Sequence, residues 1–380
     1  KKTKNNTQNK ETLFWIMPSG ITNLLSLPAY TTVTAQAFSS DGKFLAVGSD
    51  CAKIAIFDVI QIVESESKKA NGLVFQFDSA CCLDPDSIDK GCVNAIVTLE
   101  ETLVVAISRP NGTPAVLAFQ WKDLIQQRSL LAWSIDSSSG LLPKDINSLE
   151  IDKRNEKLIV GGGLGTATDP IDDYGLRVID LETRRLSSKP LLGHSGYLHS
   201  VEHCELSDII ASCSEDGSVR TWDRRAKDPC ISVIQPYQYS ELQRPKLGSW
   251  ISDVSISGDW LICGGGPKPA IFHLKALAPS VVPELPESCS NVFVTKIVKN
   301  KEAEDRVFIA GQFSGGVFYQ YSLDGTLKAE VKTSSSCLYS IEATFQDTFK
   351  MLSAGGSSST LDLCTHNLSY SDNTIQFHAF

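Results

Sequence analysis

The chain has 380 residues, of which 42% are hydrophobic and 21% charged, so it is long and apolar enough to bury a sizeable core. Its formal net charge of −9 argues against wrapping nucleic acid by bulk electrostatics, because phosphate contacts need a basic face. No run of about 18 uncharged apolar residues occurs, which argues against a transmembrane helix and a membrane partner.

The N-terminal segment differs in composition from the rest of the chain. Residues 1–12 are polar and basic and predict a disordered tail, whereas 13–380 predict a single folded domain. The first group of strands follows at 31–38, 44–48 and 53–58. A turn on Asp41-Gly42 separates the first two strands, and Phe57-Asp58 ends the third.

Six further groups of three apolar strands follow along the chain. Their third strands end at intervals of about 43 to 62 residues, against about 40 to 45 for a bare four-stranded propeller repeat. Seven repeats with loop insertions fit this spacing. The last residues of the third strands are Phe57, Phe119, Ile179, Trp222, Phe272, Tyr319 and Leu363.

The fourth group carries the most complete repeat motif. It opens with Gly193-His194, continues through a strand that leads into Ser214-Glu215-Asp216-Gly217, and ends on Trp222-Asp223. This pattern is typical of a WD40 blade, so the sequence predicts an all-β, seven-bladed WD40 β-propeller. In blades with the full motif, four side chains form a buried hydrogen-bonded chain. We assign this structural tetrad to His194, Ser212, Asp216 and Trp222.

Partner-binding loops are expected where the chain exceeds the repeat length, since a repeat scaffold tolerates insertions in its loops. The longest insertion of the fifth group ends on an aromatic residue, and it makes Arg244 and Trp250 candidate partner-binding residues. The five stretches of excess length are 59–73, 78–91, 122–144, 166–173 and 235–249.

Two terminal segments are candidates for the strand that closes the ring. Residues 374–380 alternate like a strand, and 13–17 form a rival apolar segment. The glycine runs 161–163 and 264–266 recur at the same point of two repeats, and we interpret them as hairpin geometry. No helix follows the first of them, so it is not a phosphate-binding loop.

The sequence offers no set of residues for catalysis or for binding a metal ion or cofactor. Its 11 cysteines lie singly or as the pair Cys81-Cys82, without a Cys-x-x-Cys motif, as is usual in a reducing compartment. His199 and His203 are four residues apart on a predicted strand, where that spacing does not pair ligands as it does on a helix. We therefore expect no enzyme, no metal and no cofactor.

Several stretches of the chain resemble the THO complex subunit 6 family of WD40 proteins. The segment Asp259-Trp260-Leu261-Ile262-Cys263-Gly264-Gly265-Gly266-Pro267 is the most specific of them, since Gly-His and Trp-Asp occur in every WD40 family. The other stretches are 41–48, 53–57, 193–199, 214–223, Arg244-Pro245 before Trp250-Ile251, and 353–380.

The resemblance implies a non-enzymatic scaffold in the nucleus that acts in mRNA processing and export. It implies that the rim binds helical THO subunits, chiefly subunits 5 and 7, and that RNA is contacted indirectly through the complex.

A second interpretation belongs to a different functional class. The tetrapeptide Trp222-Asp223-Arg224-Arg225 fits the Trp-Asp-x-Arg pattern with which substrate receptors dock on the adaptor of cullin-4 ubiquitin ligases. In that case Arg225 is the contacting residue. The pattern is short and common among propellers, and it does not exclude the first interpretation.

Overall fold

Seven consecutive four-stranded antiparallel sheets make up the part of the chain that the computed structural model describes. This part comprises residues 31–64, 72–79, 82–83, 91–109, 113–166, 174–299, 305–346, 349–365 and 374–380. The predicted seven-bladed propeller is confirmed.

Blades 1 to 4 contain β1 Val33–Phe38, β2 Phe44–Ser49, β3 Lys53–Asp58, β4 Leu73–Asp78; β5 Cys92–Leu99, β6 Thr102–Ser108, β7 Pro114–Gln120, β8 Leu131–Asp136; β9 Pro143–Asp152, β10 Lys157–Thr166, β11 Arg177–Asp180, β12 Arg185–Leu186; and β13 Leu198–Cys204, β14 Ile209–Ser214, β15 Val219–Trp222, β16 Cys230–Ile234. Blades 5 to 7 contain β17 Ile251–Ser257, β18 Trp260–Gly265, β19 Ala270–His273, β20 Pro279–Val281; β21 Cys289–Val298, β22 Arg306–Phe313, β23 Val317–Ser322, β24 Leu327–Lys332; and β25 Leu338–Gln346, β26 Phe349–Gly356, β27 Thr360–Thr365, β28 Thr374–His378.

The core lies between neighbouring blades, because the second and third strands of each blade are buried on both faces. Strand β2, for example, is buried from Leu45 to its end, and such strands read as continuous apolar runs. The outer strands alternate between buried and exposed residues, as in the charged strand β24. The sequence therefore signals three strands per blade clearly and the fourth weakly.

Two predicted insertion loops contain regular structure. The stretch 59–73 begins with the helix α1 Val59–Glu64, and 122–144 contains most of the helix α2 Trp121–Ile125 and the outer strand β8. The interpretation of 122–144 as a surplus loop was wrong for this reason. The insertion 235–249 instead forms two short 3₁₀ turns at Pro236–Gln238 and Ser240–Leu242. No helix in the described residues has the length and apolarity needed to cross a membrane.

The C-terminal strand completes the last blade, since β28 pairs with β27 as its outermost strand. Blade 1 then packs directly against blade 7. The ring of Phe57 meets that of Phe377 edge-on at 5.0 Å. The side chain of Gln36 donates to the Ser340 carbonyl oxygen at 3.2 Å and accepts a hydrogen bond from the Ser353 hydroxyl. The rival segment 13–17 and the tail 1–12 lie outside the described residues.

Each innermost strand carries a β-bulge near its start, where one residue has no partner on the second strand. These seven residues define what we call the bulge ring: Thr34, Asn94, Asn147, His199, Ser252, Phe293 and Tyr339.

The glycine runs 161–163 and 264–266 lie in or directly after the strands that pair with two of these bulged strands. A Cβ on Gly162 would lie 1.8 Å from the Asp145 carbonyl oxygen, and one on Gly265 would lie 2.4 Å from that of Trp250. None of the six glycines of the two runs has a positive φ. The hairpin interpretation was therefore wrong, because close approach of the bulged strand is what requires glycine.

Candidate functional site

The four tetrad residues of blade 4 form a continuous hydrogen-bonded chain. The Trp222 indole N–H donates to the Ser212 hydroxyl oxygen at 2.8 Å. That oxygen lies 2.9 Å from His194 Nε2, and His194 Nδ1 lies 2.9 Å from an Asp216 carboxylate oxygen. Because the hydroxyl accepts from Trp222 and can donate to Nε2, the Nδ1 proton of a neutral His194 points to Asp216.

Burial and hydrogen bonding determine the protonation states of His194 and Asp216 in the tetrad. Burial lowers the pKa of His194 and keeps the imidazole neutral. Burial alone would raise the pKa of Asp216, but hydrogen bonds from His194, from Ser218 and from the Ser195 N–H hold it well below its usual range. Every polar side-chain group of the tetrad has a hydrogen-bond partner within blade 4. The tetrad therefore joins the segment that precedes β13 to the Asp216-Gly217 turn of the same blade.

A second polar cluster joins blades 3 and 4 beside the tetrad. The ligand atoms of Asp152, His203 and Asp208 lie within 4.8 Å of one another, which is close enough to hold a metal ion. The guanidinium of Arg224 already contacts both carboxylates, Asp152 at 2.5 Å and Asp208 at 3.1 Å. His203 Nε2 also meets Asp208, at 3.0 Å. The cluster therefore contains its own cation and acts as a link between blades.

Arg225, the residue of the Trp-Asp-x-Arg pattern, lies at the surface next to this cluster. Its side chain is 59% exposed, yet its Nε and one terminal nitrogen contact the two carboxylate oxygens of Asp223 at 2.8 and 2.9 Å. The same terminal nitrogen donates to the Ser207 carbonyl oxygen at 3.2 Å. A partner would meet a guanidinium that is accessible but already oriented by Asp223.

Arg244 anchors the insertion before blade 5 instead of pointing freely outward. Its guanidinium donates to backbone carbonyl oxygens of blades 5 and 6, and its own segment is thereby fixed against both blades. The acceptors are the carbonyl oxygens of Gly265 at 2.6 Å, Gly266 at 2.8 Å, Pro267 at 3.1 Å, Cys289 at 3.3 Å and Ser290 at 2.7 Å. These contacts assign Arg244 a positioning role for the insertion.

Trp250 lies at the mouth of the central channel and belongs to an arc of aromatic rings. Its ring centroid is 6.4 Å from that of His199 and 6.1 Å from that of Phe293. Phe293 in turn lies 5.7 Å from Tyr339, which is 43% exposed. We call these four residues the aromatic arc. The arc runs from blade 4 to blade 7.

The bulge ring has two chemically different halves. In four blades its residue is polar and donates to a carbonyl oxygen of the next blade, immediately before that blade's own bulge. These donor and acceptor pairs are Thr34 to Val93, Asn94 to Ile146, Asn147 to Leu198 and Ser252 to Val292. In the other three blades the residue is His199, Phe293 or Tyr339, which places an aromatic ring in the lining of the channel mouth.

Below the mouth, the channel wall is mainly acidic. Three residues past the bulge, each innermost strand places Ala37, Val97, Glu150, Glu202, Ser255, Lys296 or Glu342, in chain order. Lys296 and Glu342 form an ion pair at 2.7 Å. Burial raises the pKa of Glu150 to about 7, and burial with the nearby Glu150 charge raises that of Glu202 to about 8.

The sequence identified the tetrad residues but not the arrangement of the channel mouth. His199 was considered only as a member of a metal pair with His203, and the structure places the two in different surroundings. A repeat-by-repeat alignment of the first strands could have found the bulge ring, because its members occupy equivalent positions. The side-chain clusters of Arg224 and Arg244 depend on distant backbone groups and leave no local sequence signal.

Comparison with known proteins gives one family model and a set of full-length relatives. The model for the WD domain, G-beta repeat, matches residues 22–58 and 186–223. The chain is 31% identical to a Homo sapiens protein named THO complex subunit 6, over 92% of the chain and 93% of that protein. It is 29% identical to a Danio rerio THO complex subunit 6 homolog, over 92% of the chain and 98% of that protein. A Drosophila melanogaster protein named THO complex subunit 6 is 27% identical, over 88% and 86% respectively.

Proposed function

The chain belongs to the THO complex subunit 6 family of WD40 propellers, and on this premise we propose that it is a non-enzymatic scaffold subunit of a nuclear THO complex. In this role it supports assembly of the complex during mRNA processing and export. The observation that carries the proposal is the extent of the likeness, since a relative at 31% identity covers 92% of the chain. A match confined to the WD40 repeats would support the fold alone.

The chemistry of the described polar clusters supports a scaffold over an enzyme. The polar groups of the tetrad around His194 are paired within blade 4, and the ion pairs of Arg224 link blade 3 to blade 4. Neither contains an exposed nucleophile beside a base, which acyl or phosphoryl transfer would need. A rigid ring of seven blades with projecting loops suits the holding of extended partners.

The proposed partners are the helical THO subunits 5 and 7, and the proposed contacts include Trp250. Its side chain is partly exposed at the channel mouth, at a loop-rich edge of the propeller. Arg244 acts on the same surface by fixing the insertion that leads to Trp250. The net charge of −9 favours an arrangement in which other subunits contact RNA.

The proposal is tested by co-expressing the chain with THO subunits 5 and 7 and measuring recovery through a tag on the chain. Wild-type protein should retain both subunits in moderate salt. The Trp250→Ala variant should retain less of at least one, while Leu130→Ala, a change of an exposed apolar residue on blade 2, should behave as wild type. Absence of both subunits from the wild-type complex would contradict the scaffold proposal.

A second candidate function is that of a substrate receptor for a cullin-4 ubiquitin ligase. The observation in its favour is the 59% exposed Arg225 side chain at the end of the Trp-Asp-x-Arg sequence. The Arg225→Ala variant should lose the propeller adaptor of the ligase in pull-down experiments and retain THO association. Equal recovery of the adaptor with the wild-type protein and with the variant would exclude Arg225 as the residue that contacts the adaptor.

A further inference from the structure

The channel mouth around Trp250 contains a cavity that a surface contact of Trp250 with a THO subunit does not by itself require. A cavity of about 460 Å³ opens there and is lined by the bulge ring and by the acidic wall below it. Its volume lies within the range of sites that take a small molecule or one side chain, about 300–1,000 Å³. It is therefore a pocket within the propeller surface and not a flat contact area.

The rim of the pocket is lined by four aromatic rings. The aromatic arc is continuous over neighbouring ring centroids 5.7 to 6.4 Å apart. Trp250 is held in place because its indole N–H donates to the Leu247 carbonyl oxygen at 2.8 Å. Its polar edge is thus occupied within the protein. Aromatic faces attract cations positioned over them within about 6 Å.

The wall of the pocket carries more acidic than basic side chains. Glu150, Glu202, Asp253 and Glu342 line it together with Lys296. The Lys296 ammonium is paired with Glu342 at 2.7 Å, and no ion pair joins the other three carboxyl groups to a described residue. The hydroxyl of Thr295, a buried residue of the same lining, has no hydrogen-bond partner among the described residues. The pocket is complementary to a cation that also donates hydrogen bonds.

We propose that the channel mouth binds an arginine side chain presented by an extended segment of a partner protein, with the guanidinium stacked on the aromatic arc and hydrogen-bonded to Glu202. A guanidinium is planar, stacks on aromatic rings and donates two parallel hydrogen bonds to one carboxylate. Phosphate groups of RNA are repelled by the same wall. The proposal goes beyond the scaffold role and concerns the isolated chain, so its failure would leave that role untouched.

Ionisation of the wall gives the proposed binding a pH dependence. Burial raises the pKa of Glu202 to about 8, that of Glu150 to about 7 and that of Asp253 to about 6. A bound guanidinium favours the ionised carboxylates, so binding should release protons and strengthen from pH 6 to pH 8. The titratable and charged groups that face this space are Glu150 on β9, His199 and Glu202 on β13, Asp253 on β17, Lys296 on β21, and Tyr339 and Glu342 on β25.

The test uses isothermal titration calorimetry of the full chain with the peptide acetyl-Gly-Ala-Arg-Ala-Gly-amide. The matched probe has citrulline in place of arginine, which keeps the shape and removes the charge. The arginine peptide should bind at least tenfold more tightly than the citrulline peptide at pH 8. The ratio of the two affinities should be smaller at pH 6 than at pH 8.

Variants locate the binding to the pocket. Trp250→Ala and Glu202→Gln should each weaken binding of the arginine peptide at least fivefold. Glu182→Gln, which makes the same isosteric change at an exposed carboxylate far from the pocket lining, should bind as wild type. Thermal unfolding of each variant checks that it is folded.

Three results would overturn the proposal. They are undetectable binding of the arginine peptide to wild-type protein, equal affinity for the two peptides, and an equal loss of affinity in Glu182→Gln and Glu202→Gln. Tighter binding of a lysine peptide than of the arginine peptide would overturn the assignment of the guanidinium.

Discussion

The Ser212 hydroxyl shows how much of blade 4 depends on single polar atoms. It accepts from the Trp222 indole at 2.8 Å and contacts His194 Nε2 at 2.9 Å, in a site where both residues are buried. A buried polar group left without a partner costs about 1–3 kcal/mol. The tetrad is thus stabilising as long as every member is present.

Replacing Trp222 by phenylalanine tests the value of its indole N–H. Trp222→Phe removes the donor to Ser212 and should lower the free energy of unfolding by about 1–3 kcal/mol. Trp121 provides the matched control. It is 2% exposed, and its indole N–H has no partner among the described residues. Trp121→Phe should cost less than Trp222→Phe, and the reverse order in denaturant unfolding would contradict this account of the tetrad.

Adjacent arginines of blade 4 should differ sharply in their effects on stability. Arg224→Met leaves the fully buried Asp152 carboxylate without its cation and should cost about 3–5 kcal/mol. Arg225→Met breaks a contact of an exposed, solvent-screened side chain and should cost far less than Arg224→Met. Denaturant unfolding of both variants measures the difference. Equal costs would show that the blade 3 to blade 4 link does not depend on Arg224.

At the scale of elements, the insertion before blade 5 is stabilised by one side chain. Arg244 donates to backbone carbonyl oxygens of two blades, and Trp250 lies at the end of the segment that it fixes. The sequence analysis placed Arg244 within the insertion and Trp250 at its end, and it proposed both as candidate partner-binding residues. It could not show that Arg244 is turned inward, because its acceptors belong to residues 21 to 46 positions away.

Removal of the Arg244 guanidinium should loosen this insertion. Arg244→Met should lower the free energy of unfolding by about 2 kcal/mol or more, since hydrogen bonds from a charged donor contribute about 1.5–3 kcal/mol each. Lys246→Met, which changes an exposed residue of the same segment, is the control. Thermal unfolding and proteolysis of the insertion measure both effects. A variant as stable and as protease-resistant as Lys246→Met would refute the anchoring role.

Strands that are covered on both faces were easier to predict from the sequence than strands that are covered on one face. The first three strands of each blade are rich in apolar residues, and the second and third of them are buried on both faces, so all three were predictable from the sequence. The outer strand β8 was missed because only one of its faces is covered, and the sequence around it reads as a loop. The bulge ring was missed because a bulge changes the register of backbone pairing and leaves the local composition unchanged.

At the scale of the whole molecule, the channel wall links folding to pH. The carboxyl groups of Glu150, Glu202 and Asp253 have raised pKa values in the folded chain, where burial disfavours their charged forms. The unfolded chain releases these protons near its ordinary pKa values of 4.5 and 3.8. The unfolded state therefore binds fewer protons between about pH 4 and pH 8, and the contribution of these groups to stability falls as pH rises.

Neutralising Glu202 should remove part of this pH dependence. Glu202→Gln should raise the melting temperature relative to wild type by about 1–2 °C at pH 8.5, which corresponds to about 1 kcal/mol for a chain of this length, and by less at pH 5.5. Glu182→Gln, at an exposed site, should show no such trend. Differential scanning calorimetry at the two pH values measures it. A gain for Glu202→Gln that is the same at both pH values would contradict the assigned ionisation.

The propeller as a whole acts, in the proposed account, as a scaffold for other subunits. Affinity purification of the chain from nuclear extract, in moderate salt and after nuclease treatment, with mass spectrometry of the bound proteins, tests this claim most directly. We expect the helical THO subunits 5 and 7 to be recovered in amounts comparable to the chain. Recovery of a cullin-4 adaptor without any THO subunit would contradict the scaffold proposal and would make Arg225 the central residue of the surface.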